Sequence, residues 1–213
     1  NPVRGIVIAA AATPYPDLPP GGPVHLLIFG GSQGARYFSD AVPPALALLP
    51  PAQRQRLKVV QQAREEDVAR VKAAYAAAAI SADIAAFFKD LPAIMAHSHL
   101  IVARAGASSV AELTVIGRPA ILVPLPHSLD NDQLQNATRL AESGGAWCIE
   151  QKDLGPERLA GEIGRLLDDG AALKKAAECA KSQGRPDAVK RLADVVEELA
   201  GHGTAPAMNS AGA

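Results

Sequence analysis

Three stretches of the chain hold residue types suited to an anionic ligand rich in hydroxyls. The first is Gly30-Gly31-Ser32-Gln33-Gly34-Ala35-Arg36. Glycines let the backbone turn tightly and approach a ligand. Ser32, with Gly31 and Gln33 beside it, can cap a following helix or donate to a phosphate. A helix start there adds free N–H groups and a positive dipole end, which suit a diphosphate. The same residues also fit a plain strand-to-helix turn. They form neither a complete G-x-G-x-x-G nor a P-loop, so a dinucleotide or ATP site is not supported.

The second stretch is Arg104-Ala105-Gly106-Ala107-Ser108-Ser109-Val110-Ala111-Glu112. It joins a strand to a helix through a glycine and two hydroxyls. With the helix beginning at Val110, Glu112 falls on its first turn. A carboxylate there can accept two hydrogen bonds from a ribose diol. Ser109-x-x-Glu112 is equally a capping box, with Glu112 bonded to the cap residue's N–H. The third stretch, Pro124 to Asn136, clusters Asp130, Asn131, Asp132, Gln133, Gln135 and Asn136 at a helix entry. Amides read sugar hydroxyls because each one both donates and accepts. Asp132 also fits an ordinary cap. Asp130-x-Asp132 has the form of a metal-holding pair, but no third ligand stands nearby, and no metal is expected.

These stretches need a scaffold that brings them together. Short apolar runs at Val24–Phe29, Leu57–Val60, Ala82–Phe87, Leu100–Ala103, Ala120–Val123 and Ala146–Ile149 read as strands buried on both faces. Helical periodicity fills the gaps: Ala35–Leu49, Glu65–Ala79, Leu91–His97, Val110–Ile116, Asp132–Glu142 and Pro156–Leu167. Such alternation predicts a Rossmann-like α/β fold, a doubly wound parallel sheet of about six strands. Ligands of such sheets bind outside the carboxyl ends of the strands, where all three stretches fall. Ala171–Lys181 and Asp187–Ala200 read as two further helices. The expected division is a Pro-rich lead-in and linker over 1–23, a ligand-binding domain over 24–185, a C-terminal helix over 186–201 and a frayed tail over 202–213.

Composition narrows the function further. The 213 residues carry 21 Lys plus Arg against 22 Asp plus Glu, a formal net charge of −1. A nucleic-acid binder would need a basic face, so none is expected. At 48% hydrophobic and 20% charged, the chain has the composition of a globular protein. Two cysteines, Cys148 and Cys179, make neither a disulfide framework nor metal-ligand spacing, which favours a reducing, cytoplasmic setting. No signal peptide and no bilayer-length apolar run is evident. The chain starts at Asn1 without Met, which reads as a piece of a longer chain.

Four groups of residues in order, Asn1-Pro2-Val3-Arg4, Gly30-Gly31-Ser32-Gln33-Gly34-Ala35, Gly106-Ala107-x-x-Val110-x-Glu112 and Asp132-Gln133-x-x-Asn136-Ala137, carry a family resemblance over residues 1 to about 200. Gly144-Gly145-Ala146 agrees with it. The chain resembles the donor-binding, C-terminal half of the family 28 glycosyltransferases. These GT-B enzymes of bacterial peptidoglycan synthesis add N-acetylglucosamine (GlcNAc) to lipid I, undecaprenyl-diphospho-muramoylpentapeptide, giving lipid II. The resemblance implies that Arg4 and Ser32 contact the diphosphate of UDP-GlcNAc. It implies that the backbone at Phe88, where the family carries an aliphatic residue, reads the uracil. Ala107, Ser108, Ser109, Val110, Ala111 and Glu112 would lie under the diphosphate and ribose, with Glu112 on the ribose hydroxyls. Gln133 would bind the GlcNAc hydroxyls, with Asp132 and Asn136 as neighbours.

The family's N-terminal domain, with its catalytic base, lipid I site and membrane-facing surface, is absent from this sequence. None of the five histidines takes over that role, and no catalytic residue is named. The resemblance therefore implies a soluble donor-binding piece, inactive alone. The enzyme it belongs to would sit peripherally on the cytoplasmic face of the inner membrane and need no cofactor. Two other readings remain: a soluble subunit of a split UDP-GlcNAc transferase with a membrane partner, and an enzyme like the UDP-sugar epimerases. The broken glycine fingerprint argues against a nicotinamide-dependent oxidoreductase.

Overall fold

The computed structural model describes residues 2–31 and 36–201. In chain order the elements are α1 (Gly5–Ala10), β1 (Val24–Phe29), α2 (Arg36–Ala47), α3 (Pro51–Arg56), β2 (Leu57–Gln62), α4 (Glu65–Ala77), β3 (Ser81–Ala85), α5 (Leu91–His97), β4 (Leu100–Ala103), α6 (Ala107–Ile116), β5 (Ala120–Leu122), α7 (Asp132–Glu142), β6 (Ala146–Cys148), α8 (Pro156–Leu167), α9 (Gly170–Ser182) and α10 (Ala188–Gly201). The six strands form one sheet in the order β3-β2-β1-β4-β5-β6, and every pair is parallel. This is the Rossmann-like α/β architecture the alternating apolar runs predict.

Strand side chains alternate between two cores because successive residues point to opposite faces. Val24, Leu26, Ile28, Leu100, Val102 and Ile121 join Phe38, Val42, Tyr75 and Ile163 on one face. Leu27, Phe29, Ile101, Ala103 and Leu122 join Val7, Met95, Leu113 and Leu140 on the other. Both faces of the central strands are therefore covered, which is why their sequences are apolar runs and do not alternate.

The lead-in is more ordered than its prolines suggest. Gly5–Ala10 is helical, and Val7 is wholly buried in the second core. Long cationic side chains then hold the segment down. Lys181 Nζ donates to Ala11 O at 2.9 Å, and Arg118 Nη2 donates to Thr13 O at 3.1 Å and Pro14 O at 2.9 Å. Pro50 is the N-cap of α3, and Pro51 stands in its first turn, where its missing N–H costs nothing. Among the described residues, no helix is long and apolar enough to cross a membrane.

Candidate functional site

The strand order reverses between β1 and β4, so the connections that follow them leave in opposite directions and open a crevice at the carboxyl edge. A cleft of about 690 Å³ occupies this edge, lined by residues that include Gly31, Arg36, Tyr37, Arg64, Arg104, Ser108, Ser109, Leu125, Gln133 and Gln151. It collects the loops after β1, β2, β4, β5 and β6. Gly31 has φ +92° with open space where a Cβ would stand, so only glycine holds this turn without strain while leaving the cleft clear.

The α6 helix begins at Ala107, earlier than the apolar periodicity suggests. Gly106 is its N-cap, at φ −60° and ψ 145°, and no side chain caps it. Val110 N–H is the first to close a helical turn, onto Gly106 O at 3.0 Å. The N–H groups of Ala107, Ser108 and Ser109 therefore have no partner among the described residues. A helix start of this kind, with free N–H groups and the positive end of the dipole, suits an anion. Because of the earlier start, Glu112 is the sixth residue of α6 and not on its first turn. The capping box over Ser109 and Glu112 does not form. Glu112 instead accepts from Arg4 Nη2 at 3.0 Å and Nε at 3.3 Å.

The other candidate residues divide by place. Gly31, Ser108, Ser109 and Gln133 line the cleft. Ala107, Val110, Ala111 and Asn136 instead line a separate groove of about 330 Å³ on the flank of α6 facing α7. Asn136 Nδ2 donates to Ala105 O at 3.1 Å, tying α7 to the loop after β4. Asp132 is the first residue of α7, after its N-cap Asn131, and its Oδ1 accepts Gln133 N–H at 2.7 Å; no side chain caps the helix, so Asp132 does not take the cap its sequence position suggested. Gln133 Oε1 accepts Leu125 N–H at 3.0 Å. Phe88 is half-buried in the loop after β3 and belongs to neither cavity wall. Ser32 and Gln33 lie outside the described residues. Among the described residues, no three His, Cys, Asp or Glu side chains gather as a metal site, the Asp130–Asp132 pair included.

Sequence reasoning missed the cationic lining and, of the two amides, Gln151. Arg104 is 8% exposed, and its guanidinium is 5.3 Å from the ring centroids of both Tyr37 and Phe38. Burial lowers the Arg104 pKa and raises that of Tyr37. Arg36, Arg64 and Gln151 complete the wall. Arg36 and Arg104 stood inside the glycine-rich stretches but look like ordinary loop residues there. Arg64 and Gln151 lie far from any motif, and only the sheet order brings them to the cleft.

The glycosyltransferase family 28 C-terminal domain matches residues 25–192. Curated relatives named UDP-N-acetylglucosamine--N-acetylmuramyl-(pentapeptide) pyrophosphoryl-undecaprenol N-acetylglucosamine transferase are similar over nearly the whole chain. The one from Methylobacterium nodulans is 59% identical over 201 residues, covering 94% of this chain and 54% of its own length. The one from Brucella abortus is 52% identical over 200 residues, covering 94% and 53%. The crystal structure of Acinetobacter baumannii MurG superposes with a TM-score of 0.77 at 30% identity, covering 86% of this chain and 54% of that one. The chain thus spans about half the length of the curated relatives it matches. On its sequence match and its fold alike, the chain belongs to glycosyltransferase family 28, in that family's C-terminal domain.

Proposed function

We propose that this chain is the UDP-GlcNAc-binding half of an inverting hexosyltransferase that passes GlcNAc to lipid I, forming lipid II in peptidoglycan synthesis. One observation carries the reading: the cleft at the sheet's switch point pairs the uncapped start of α6 with Arg36 and Arg64. That combination suits a nucleoside diphosphate. The names of the similar enzymes supply the sugar and the acceptor.

On this reading the C4 hydroxyl of the muramoyl sugar attacks the anomeric carbon of GlcNAc. The bond from that carbon to the β-phosphate oxygen breaks, and its electron pair leaves with UDP. The free N–H groups of α6, with Arg4 and Ser32, hold the developing charge on the diphosphate. Glu112 takes the ribose hydroxyls, Gln133 the GlcNAc hydroxyls and the Phe88 backbone the uracil. The hydroxyl proton goes to a base in the half of the relatives this chain does not span. The acceptor lipid and peripheral contact with the inner membrane belong to that half too. Residues 24–185 act as the donor domain, and 1–23 lead into it.

Calorimetric titration with UDP-GlcNAc, UDP-GalNAc and NADH tests the reading. The expected result is binding of UDP-GlcNAc ahead of UDP-GalNAc, no binding of NADH and no transfer by this chain alone. Preference for NADH, or transfer to a lipid I analogue by the isolated chain, would overturn it.

A further inference from the structure

We propose that Arg104 is a positioning residue that sets Gln133 and Gln151 as a pair of amide donors, which read oxygen atoms on the sugar of the bound nucleotide. The inference rests on the donor-binding reading above and assigns Gln151 a role in it.

Arg104 leaves β4 and reaches across the sheet edge. Its Nη1 donates to Val123 O at 3.1 Å and to Pro124 O at 3.0 Å, which fixes the loop after β5. Its Nη2 donates to Gln151 Oε1 at 2.6 Å, in the loop after β6. The next residue of the pinned loop, Leu125, donates its N–H to Gln133 Oε1 at 3.0 Å. One guanidinium therefore holds Gln151 directly and Gln133 through the 123–125 backbone. The rings of Tyr37 and Phe38 flank it, so it has little room to swing.

The chemistry of the donors fixes which way both amides face. A guanidinium and a backbone N–H only donate, so each glutamine turns its oxygen towards them. The NH2 group of each is then left over. Neither Gln133 Nε2 nor Gln151 Nε2 donates to another group among the described residues, and both side chains line the cleft. Two amide donors held this way suit hydroxyl and acetyl oxygens. The α6 start and the outer arginines are better placed to serve the phosphates. Arg104 Nε is buried without a partner, so the side chain is not arranged to satisfy itself. Its two terminal nitrogens do the positioning.

The test compares UDP with UDP-GlcNAc by calorimetry on this chain and on Arg104→Lys and Gln151→Leu, with thermal unfolding run beside it. Lysine keeps the charge but cannot hold the two loops with a planar fork. Gln151→Leu removes one amide and leaves the 123–125 loop pinned, so it reports even if Arg104→Lys unfolds. The expected result is UDP affinity within about twofold of the parent in both variants and about a tenfold loss of the preference for UDP-GlcNAc over UDP, the size of one lost hydrogen bond. An unchanged preference in both variants overturns the inference. So does an equal weakening of both ligands by Arg104→Lys, since that is what a plain structural strut would give. If the parent chain binds UDP without favouring UDP-GlcNAc, only the sugar-reading inference falls. If it binds neither, the donor-binding reading falls with it.

Discussion

Arg4 and Glu112 stand 108 positions apart, yet Arg4 places Nη2 at 3.0 Å and Nε at 3.3 Å from the same carboxylate oxygen. Arg4 is the N-cap residue of α1, and Glu112 lies on the second turn of α6. Their side chains are 63% and 13% exposed, so the carboxylate is sheltered and the guanidinium is not. A pair this open contributes about 0–1 kcal/mol. It ties the lead-in to the helix that starts at the candidate site, and a ligand can open it at little cost.

That cost separates two roles for Glu112. Glu112→Ala should lower the melting temperature only slightly. It should weaken UDP-GlcNAc binding about 10- to 100-fold if the carboxylate accepts from the ribose diol, the usual loss for a charged hydrogen-bond partner. Calorimetry on Glu112→Ala and Arg4→Ala reads both. Unchanged affinity with a lowered melting temperature would leave Glu112 as a structural tie alone.

Arg118 offers a larger effect. Its guanidinium donates to the carbonyls of Ala96, Ile116, Gly117, Thr13 and Pro14 and packs against the Tyr15 ring at 5.6 Å. Burial pushes its pKa down to about 10, so the side chain stays charged at neutral pH. Arg118→Leu strands several buried carbonyls, each costing about 1–3 kcal/mol. Urea unfolding should show a loss of about 3 kcal/mol or more. Hydrogen exchange should quicken first in residues 11–18. A loss under about 1 kcal/mol would mean the lead-in finds other partners.

The places where sequence and structure part share a cause. Val24–Phe29, Leu91–His97, Leu100–Ala103, Asp132–Glu142 and Pro156–Leu167 are elements with the bounds their patterns predict, because Gly, Pro or a polar cluster punctuates each one. Gly5–Ala10 has no polar face to give it a period, and its helix depends on contacts with α5 and α6 that no local signal encodes. Helix α6 starts before Val110 because Ala107 is a strong helix former, while Ala107, Ser108 and Ser109 are small and carry no apolar period to mark the extra turn. That shift undid the capping box and took Glu112 off the first turn. The glycine-rich cleft edge was legible. Arg64 and Gln151 were not, because sheet order alone makes them neighbours.

Gly117 tests the seam between α6 and α9. It ends α6 in the left-handed region at φ +75°, and a Cβ there would stand 2.7 Å from Lys181 Cδ and 2.8 Å from Lys181 Cβ. Gly117→Ala must take a strained backbone and push aside the lysine whose Nζ caps Val115 O at 2.9 Å. The expected loss is about 1–3 kcal/mol by urea unfolding. Adding Lys181→Ala should recover the part of the clash made by Cδ and leave the contact with Cβ and the strain, so the double variant should lose less than the sum of the two single ones.

The amino end of the sheet gives a pH dependence. His99 Nδ1 accepts His25 N–H at 2.9 Å, so that nitrogen carries no proton, and Nε2 at 3.2 Å from Asp17 O carries it instead. The His25 ring stacks on that of His99 at 5.5 Å, and the Tyr15 hydroxyl donates to His99 O at 2.8 Å. Burial lowers the His99 pKa below its ordinary 6.5; the bond to Asp17 O opposes this, and His25 and Arg118 add to it. His25 shifts the same way, chiefly by burial, with His97 and Lys58 contributing. A histidine held neutral in the fold takes up its proton more readily once unfolded. Stability from this pair is therefore complete above the ordinary value of 6.5 and declines as pH falls below it towards the lower folded values. Protonating His99 Nδ1 sets two N–H groups face to face and breaks the bond from the His25 N–H that ties the start of β1 to His99. Urea midpoints between about pH 5 and 8 should fall on the acid side, and His99→Gln should flatten that slope while lowering the neutral plateau. A slope that persists in His99→Gln would place the titrating group elsewhere.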